Sequence, residues 1–191
     1  MTCIIGIVED DVIYLGGDSA EVGGEAMTIC SRSDEKVFIV DGEEFAMGFC
    51  GSFRGGQLLR YAFDPPEQSK HKSDMAYMVT DFVDAVRAMQ KDRGFLKREN
   101  EIEEHDCVFI VGYRSKLYVV DSDFQVGCPL GNFTAVGSGS QVALGALYAT
   151  VDSDKTPEER ITLALEAAAE FNIGVRKPFH IVKLEPQAEE Q

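Results

Sequence analysis

Blocks of strand-like and helix-like hydrophobic periodicity alternate along this chain, and their order limits the folds open to it. Apolar residues first recur with strand periodicity and then with helical periodicity, and both patterns repeat before a last strand. The predicted strands are 3–8, 12–16, 27–31, 36–40, 44–49, 107–112, 116–121 and 179–184, and the predicted helices are 52–64, 73–91, 138–150 and 157–171. Two antiparallel sheets packed face to face, each covered by a helix pair, would bury these apolar faces. We therefore predict an α+β fold, a four-layer αββα sandwich.

Local signals mark the ends of these elements. The acidic turn at residues 9–11 makes the first two strands a hairpin, and the Asp-Gly pair at 41–42 is a turn signal between two later strands. No periodicity appears at 22–25 or in the highly charged segment 91–106. We therefore expect a glycine-containing loop in the first segment, and a helix end followed by an exposed loop in the second.

The helices carry their own signals. Thr156, Pro157 and Glu159 form a strong helix start, with a capping hydroxyl, a proline in the first turn and a glutamate at the third position. The second helix presents a methionine-rich stripe that we assign to core packing. The stripe consists of Met75, Met78, Val79, Phe82, Val86 and Met89.

Composition excludes several functions. The chain has 191 residues, enough for one domain, which we place at 1–184 with a polar tail at 185–191. Its net charge of -15 disfavours nucleic acids and anionic membranes, because phosphates would be repelled. No apolar window is long enough to span a membrane, and no basic segment indicates a signal peptide, so we predict a cytoplasmic protein. The five cysteines are scattered without a zinc-binding spacing, which favours a reducing compartment and no metal.

The second residue, Thr2, indicates a specific catalytic chemistry. If Met1 is removed, Thr2 carries both a free α-amine and a hydroxyl, and the amine can activate the hydroxyl as a nucleophile. Such a site needs a cation near the amine, a carboxylate that orients the cation, and backbone N–H groups for the oxyanion. Candidates for each of these occur at strand ends and turns in this chain.

Several stretches of the chain resemble one family in a consistent order. The opening TCIIGIVEDDVIYLGGDSA resembles the start of proteasome β-subunits and of the bacterial peptidase HslV, including the sixteen-residue separation of Thr2 from Asp18. EKVF, GFCGS, AVGSGSQVALGALYA and FHIVKL resemble later family segments. The resemblance extends from about residue 2 to residue 184. It implies the N-terminal nucleophile (Ntn) hydrolase fold and a threonine-type endopeptidase without metal or organic cofactor.

The resemblance also implies roles for individual residues. Thr2 would be the nucleophile and its amine the general base, with Lys36 as the cation and Asp18 orienting it. Ser138 would hydrogen-bond near the amine. The N–H of Gly51 would belong to the oxyanion hole, and Phe49 and Phe53 would lie near an apolar primary specificity pocket.

The chain departs from the family pattern in places. The separation of Asp18 from Lys36 is two residues longer than in HslV, so the choice of lysine is inferred. Glu170 and Ile173 stand where proteasome subunits carry an aspartate and, three residues on, a serine. We expect Glu170 to support Ser138 in place of that aspartate.

Alternatives remain at this point. Loss of both Met1 and Thr2 would make Cys3 an N-terminal thiol nucleophile, although the spacing to Asp18 favours Thr2. The other two hypotheses are a non-catalytic ring scaffold and a small-amide hydrolase of the same fold. For the peptidase, the resemblance implies stacked homo-oligomeric rings, an ATPase unfoldase as a possible partner, and peptides or unfolded proteins as substrates.

Overall fold

The structure of this chain is a computed structural model that describes residues 1–23, 28–40, 42, 44–99 and 102–186, with the backbone alone at 28–30 and 99. The strands are β1 (Ile4–Glu9), β2 (Val12–Gly17), β3 (Ala20–Gly23), β4 (Thr28–Ser31), β5 (Val37–Ile39), β6 (Phe45–Gly51), β7 (Lys97–Glu99), β8 (Ile102–Glu104), β9 (Cys107–Tyr113), β10 (Lys116–Val120), β11 (Val126–Gly127), β12 (Phe133–Val136) and β13 (His180–Leu184). The helices are α1 (Phe53–Tyr61), α2 (Asp74–Tyr77), α3 (Val83–Asp92), α4 (Ser140–Ala149) and α5 (Pro157–Phe171), and a π-helical turn (Met78–Phe82) joins α2 to α3.

Two antiparallel sheets form the centre of the fold. Sheet I has the order β12-β1-β2-β13, and sheet II has the order β11-β10-β9-β6-β5. The layer between them contains Ile4, Ile13, Leu15, Val37, Ala46, Ile110 and Leu117, all buried. Burial of each large aliphatic side chain stabilises the fold by about 1.5–3 kcal/mol. This layer fixes sheet I against sheet II.

Helices cover the outer face of each sheet. The outer face of sheet I packs on α4 and α5 through a cluster that includes Ile5, Ile7, Leu147, Ile161 and Leu165. The outer face of sheet II packs on α1 to α3 through an aromatic-rich cluster that includes Phe45, Phe49, Phe82, Phe109 and Tyr113. The predicted four-layer αββα sandwich is confirmed.

The local signals at the ends of elements are largely confirmed. The first hairpin has the register Val8 opposite Ile13. Thr156 and Glu159 form the reciprocal capping box: the Glu159 N–H donates to Thr156 Oγ1 at 3.3 Å, and the Thr156 N–H donates to Glu159 Oε2 at 2.9 Å. The Met-rich stripe is only partly core. Met78 is fully buried, whereas Met75 and Val79 are exposed, and the π-helical turn interrupts the regular α-helical spacing that the stripe assumes.

Two predicted loops are wrong in part. Of the predicted loop 22–25, Val22 and Gly23 belong to β3, which pairs with β4, and residues 24–25 lie outside the described residues. The charged segment 91–106 contains the hairpin β7–β8, whose charged side chains form ion pairs such as that of Lys97 with Asp106. The short strands β11 and β12 were also missed, since they have only two and four residues. Met27 of the predicted strand 27–31 and the tail residues 187–191 lie outside the described residues.

Candidate active site

Thr2 lies two residues before the first residue of β1, and the turn that opens α4 holds its backbone. The Thr2 carbonyl accepts the N–H of Gly139 at 3.2 Å, and the Thr2 amide nitrogen lies 3.2 Å from Ser138 Oγ, to which it donates. Gly137 has a φ of +94°, and a Cβ at this position would lie 2.3 Å from the Thr2 carbonyl oxygen. Glycine is therefore required beside Thr2 both for conformation and for space.

A buried lysine joins the Thr2 hydroxyl to a carboxylate. Lys36 Nζ lies 2.9 Å from Thr2 Oγ1 and 2.9 Å from Asp18 Oδ1. The side chains of Lys36 and Asp18 are 1% and 0% exposed, so their interaction is shielded from water. Charge-assisted hydrogen bonds of this kind fix the ammonium group against the hydroxyl oxygen.

Asp18 is itself fixed by backbone donors. Its Oδ1 accepts the N–H of Cys3 at 3.0 Å, while its Oδ2 accepts the N–H of Ala20 at 2.8 Å and that of Arg176 at 3.3 Å. These donors come from the start of β1, the start of β3 and the segment after α5. Three parts of the chain thus orient the carboxylate that holds Lys36.

Burial shapes the acid–base properties of the site. Desolvation lowers the pKa of Lys36, and the negative charge of Asp18 opposes this effect. A lysine with a lowered pKa releases a proton more readily than an exposed one. The ammonium group nevertheless keeps a partner that favours its charged form.

Gly51 ends β6 and leads into α1. Its φ is +95°, and a Cβ there would lie 2.4 Å from the Asp106 carbonyl oxygen, so the turn requires glycine. A Cβ added at Gly137 would lie 2.3 Å from the Thr2 carbonyl oxygen and 3.4 Å from Cβ of Cys50, the residue before Gly51. The end of β6 therefore lies near Thr2, and the role of the Gly51 N–H stays a prediction.

The two predicted pocket residues differ in their surroundings. Phe49 is buried, and its ring covers Gly56, where an added Cβ would lie 2.2 Å from the ring. Phe53 is half-buried and packs edge-on against Phe49 with the ring centroids 5.9 Å apart. Lys36 Nζ lies 5.6 Å from the centroid of Phe53. The structure therefore brings Phe53, rather than Phe49, to the edge of the site.

Ser138 has a partner that sequence reasoning missed. Asn172 Oδ1 lies 3.3 Å from Ser138 Oγ, and Asn172 Nδ2 donates to the Ser138 carbonyl at 2.9 Å. Glu170 is exposed on α5, and among the described contacts none joins it to Ser138. Asn172 caps the end of α5, and its polar side chain at a helix end is the sequence signal that points to it.

Met1 precedes Thr2 and contacts its hydroxyl. Its carbonyl oxygen accepts the Thr2 hydroxyl at 2.5 Å, and its side chain packs against Gly174, where an added Cβ would lie 2.1 Å from the Met1 Cβ. The Thr2 nitrogen is an amide in this state. It gains a basic lone pair only when the bond to Met1 is cleaved.

The cysteines near the site are buried and unreactive. Burial raises the pKa of Cys3 to about 12 and that of Cys50 to about 11. Thiols with such values hold almost no thiolate at neutral pH, so neither is an activated nucleophile. Within the described residues no group of His, Cys, Asp and Glu side chains could hold a metal ion, and no helix is long and apolar enough to cross a membrane.

The four-layer αββα sandwich, with Thr2 ahead of β1 and beside Lys36 and Asp18, has the Ntn-hydrolase fold. The chain matches the proteasome subunit family over residues 1–172 and belongs to that family. It is similar to the ATP-dependent protease subunit HslV of Desulfovibrio desulfuricans, at 25% identity over 176 residues, which covers 90% of this chain and 93% of the relative.

Solved structures share the fold. BPH of Thiobacillus denitrificans, in complex with epoxomicin, has a TM-score of 0.78 at 20% identity and covers 97% of this chain and 100% of its own. A eukaryotic HslV from Trypanosoma brucei has a TM-score of 0.67 at 18% identity and covers 96% of this chain and 99% of its own. The family resemblance predicted from the sequence is confirmed.

Proposed function

We propose that this chain is a threonine peptidase of the proteasome and HslV type, with Thr2 as its nucleophile once Met1 has been removed. The observation that supports it best is the position of Lys36 Nζ, 2.9 Å from both Thr2 Oγ1 and Asp18 Oδ1 in a buried site. A solvated lysine on a strand would have neither contact. Family membership supports the same proposal.

The first half of the reaction forms an ester. The free α-amine of Thr2 accepts the hydroxyl proton as Oγ1 attacks the carbonyl carbon of the scissile bond. The ammonium group of Lys36 stabilises the developing charge on Oγ1, and the Gly51 N–H donates to the oxyanion. The protonated amine then gives its proton to the leaving nitrogen, and the C–N bond breaks. The N-terminal part of the substrate stays attached to Thr2 as an ester.

The second half restores the enzyme. The α-amine accepts a proton from water as the water oxygen attacks the ester carbonyl carbon. Collapse of this intermediate returns the proton to Oγ1 and releases a carboxylic acid. Ser138 keeps the amine in place during both halves, because its hydroxyl lies 3.2 Å from the Thr2 nitrogen.

Assembly is part of the same proposal. We expect homo-oligomeric stacked rings that enclose the active sites, an ATPase unfoldase as a partner, and peptides or unfolded proteins as substrates in the cytoplasm. The similarity to a protein named as an ATP-dependent protease subunit supports the partner. Native mass spectrometry of the purified protein measures the ring, and a small amidase would be found as a species too small for a closed ring.

Intact mass spectrometry before and after incubation with a peptide epoxyketone tests the nucleophile. This reagent closes its adduct only on a residue that offers both a free α-amine and a hydroxyl. We expect loss of Met1 and one adduct per chain, and no adduct in a Thr2→Ala variant that also loses Met1. A chain that keeps Met1 would contradict the peptidase and favour the scaffold, and an adduct on a chain starting at Cys3 would contradict Thr2.

A further inference from the structure

Met1 lies across the part of the site where the leaving half of a substrate has to be placed. The Met1 carbonyl carbon is bonded to the Thr2 nitrogen, and the Met1 carbonyl oxygen accepts the Thr2 hydroxyl at 2.5 Å. The proposed reaction passes a proton from this hydroxyl to the Thr2 amine and then to the leaving nitrogen. The leaving nitrogen must therefore come within hydrogen-bond distance of the amine. Before its removal, Met1 thus fills the space that the residue after the cleaved bond enters.

The side chain of Met1 shows what borders this space. A Cβ added to Gly174 would lie 2.1 Å from Met1 Cβ, 3.0 Å from Met1 Cγ and 3.0 Å from Met1 Sδ, and these are the three nearest atoms. An unbranched apolar side chain therefore lies along the bare Cα of Gly174. A side chain at position 174 would displace it.

Backbone conformation does not require glycine at position 174. Its φ lies outside the left-handed region, unlike that of Gly137 or Gly51. Apart from the two adjacent residues, all atoms other than those of Met1 stay 3.0 Å or more from the added Cβ. Once Met1 has been removed, alanine would fit here with small adjustments at most. Only a new occupant of the same space would still require glycine.

Gly174 is held at a set place relative to the Thr2 nitrogen. Its N–H donates to Asn172 Oδ1 at 2.9 Å, and the same oxygen lies 3.3 Å from Ser138 Oγ, which contacts the Thr2 nitrogen. The next residue, Val175, is 1% exposed and belongs to the cluster between sheet I and its helices. A hydrogen bond on one side and a buried side chain on the other therefore fix the glycine beside the amine.

A groove of about 610 Å³ lies beside Gly174. Its lining includes Asn172 and the two residues that flank Gly174, Ile173 and Val175. The groove gives the chain that follows the cleaved bond room to leave the site past Gly174.

We propose that Gly174 forms the floor of the subsite for the residue that follows the cleaved bond, and that this subsite prefers an unbranched apolar side chain such as that of methionine. This inference rests on the proposed peptidase function. Removal of Met1 then frees the amine and opens the subsite in one step. A substrate methionine regains the apolar contact that Met1 made with Gly174, whereas a substrate glycine at this position gains none.

Internally quenched peptides that differ only in the residue after the cleaved bond, methionine or glycine, test the subsite. Each chain is produced as a fusion that is cleaved to expose Thr2, so that removal of Met1 does not vary. kcat/KM reports the steps up to formation of the ester, during which the leaving part is still attached, and mass spectrometry of the fragments identifies the bond that is cut. We expect cleavage before methionine to be about tenfold faster than cleavage before glycine, the size expected for a partly buried methionine side chain.

Gly174→Ala should remove this preference. Its new Cβ takes the place of the substrate side chain, so cleavage before methionine should fall about tenfold, to the level of cleavage before glycine, which stays unchanged. Gly131→Ala is the matched control, because Gly131 is exposed and an added Cβ there would meet no atom within 4 Å, and it should keep the wild-type ratio. Epoxyketone labelling of Thr2 should proceed at the wild-type rate in both variants, because the reagent carries no leaving residue.

The possible outcomes separate the subsite from the peptidase. A wild-type ratio near one, or the same ratio in wild type and Gly174→Ala, would overturn the subsite and leave the peptidase standing. Slower labelling of Gly174→Ala would also overturn it, since the glycine would then act on Thr2 and not on the leaving residue. The wild-type ratio alone decides if Gly174→Ala does not fold. Wild-type protein that neither labels nor cleaves any peptide would overturn the proposed function itself.

Discussion

Lys36 and Asp18 form an ion pair at 2.9 Å whose two side chains are almost fully buried beside the Thr2 hydroxyl. A buried ion pair is rarely retained for stability alone, because the cost of desolvating both charges offsets most of their attraction. Its position next to the Thr2 hydroxyl, which contacts the same ammonium group, fits the role we propose for Lys36 in catalysis. The pair keeps a cation at the Thr2 hydroxyl, in a place shielded from water.

Asp18→Asn should therefore reduce activity far more than it changes shape. Asparagine keeps the size of the side chain but removes the charge that raises the pKa of Lys36, so the lysine loses its proton more easily and no longer stabilises a negative Oγ1. We expect the rate of epoxyketone labelling to fall on the order of a hundredfold. The free energy of unfolding should fall by about 3–5 kcal/mol, as for other broken buried pairs, which urea denaturation measures.

Asp81→Asn is the matched control for this variant. Asp81 accepts from Lys72 at 2.6 Å, but both side chains are more than a third exposed, so the pair is screened by water. The change should cost less than about 1 kcal/mol and leave the labelling rate unchanged. Equal effects of Asp18→Asn and Asp81→Asn on labelling would show that Lys36 does not depend on its carboxylate.

Asn172→Ala and Glu170→Ala should behave differently. Asn172 contacts both the hydroxyl and the carbonyl of Ser138, whereas Glu170 is exposed. Loss of Asn172 frees Ser138 and so disturbs the position of the Thr2 amine. We expect about a tenfold loss of kcat with little change of KM, the size of one net hydrogen bond to a positioned group.

Steady-state kinetics on one peptide separates these two variants. Glu170→Ala should keep wild-type values, and Ser138→Ala should lose at least as much activity as Asn172→Ala. If Glu170→Ala lowers kcat more than Asn172→Ala does, then Glu170, as expected from the sequence, and not Asn172, supports Ser138.

The contrast between Glu170 and Asn172 shows why part of the site could not be predicted. The family resemblance already grouped Thr2, Asp18 and Lys36, and the structure places all three beside strand ends and in contact. The partner of Ser138 depends instead on where α5 ends and how the chain leaves it. The end of α5 and the path of the chain after it depend on tertiary packing, which a sequence pattern does not predict.

The same limit applies to the fold and to the substrate pocket. Long elements such as the β1–β2 hairpin and α5 carry strong periodicity and caps, and they were predicted. The four-residue strand β12 is too short to show strand periodicity, and it forms by pairing with the edge of β1. The sequence pattern assigns Arg32 no role, because its position over Phe53 depends on a contact between residues 21 apart in sequence.

Gly137→Ala should inactivate the protein through geometry alone. The position has a φ of +94°, and the new Cβ would lie 2.3 Å from the Thr2 carbonyl oxygen, so the turn must move and take Thr2 with it. We expect a loss of about 2–4 kcal/mol in the free energy of unfolding and of nearly all labelling at Thr2.

Gly145→Ala is the control for this substitution. Gly145 lies inside α4, and an added Cβ would meet no atom within 4 Å. Alanine favours the helix, so this variant should gain about 0.5–1 kcal/mol and keep full activity. A Gly137→Ala variant that labels as fast as Gly145→Ala would show that the turn does not position Thr2.

His105 should make the free energy of unfolding depend on pH. It is buried between α3 and the β9–β10 pair: its Nε2 lies 3.1 Å from the Asp121 carbonyl oxygen and its Nδ1 lies 3.4 Å from Gln90 Nε2. Burial lowers the pKa of His105, and the nearby carboxylates of Asp106, Asp121 and Asp123 oppose this only in part. The folded protein therefore binds the proton less readily than the unfolded chain does.

The sign of the effect follows from that difference. The unfolded histidine takes up a proton as the pH falls below about 6.5, while the folded one stays neutral until its lower pKa is reached. Stability is thus full above about 6.5 and declines as the pH falls, by about 1.4 kcal/mol for each unit by which the pKa is lowered. Urea denaturation at pH 7.5 and 5 should show a smaller decline in His105→Gln than in wild type. His71→Gln, which changes an exposed histidine, should keep the wild-type decline, and an unchanged decline in His105→Gln would assign the pH dependence to other groups.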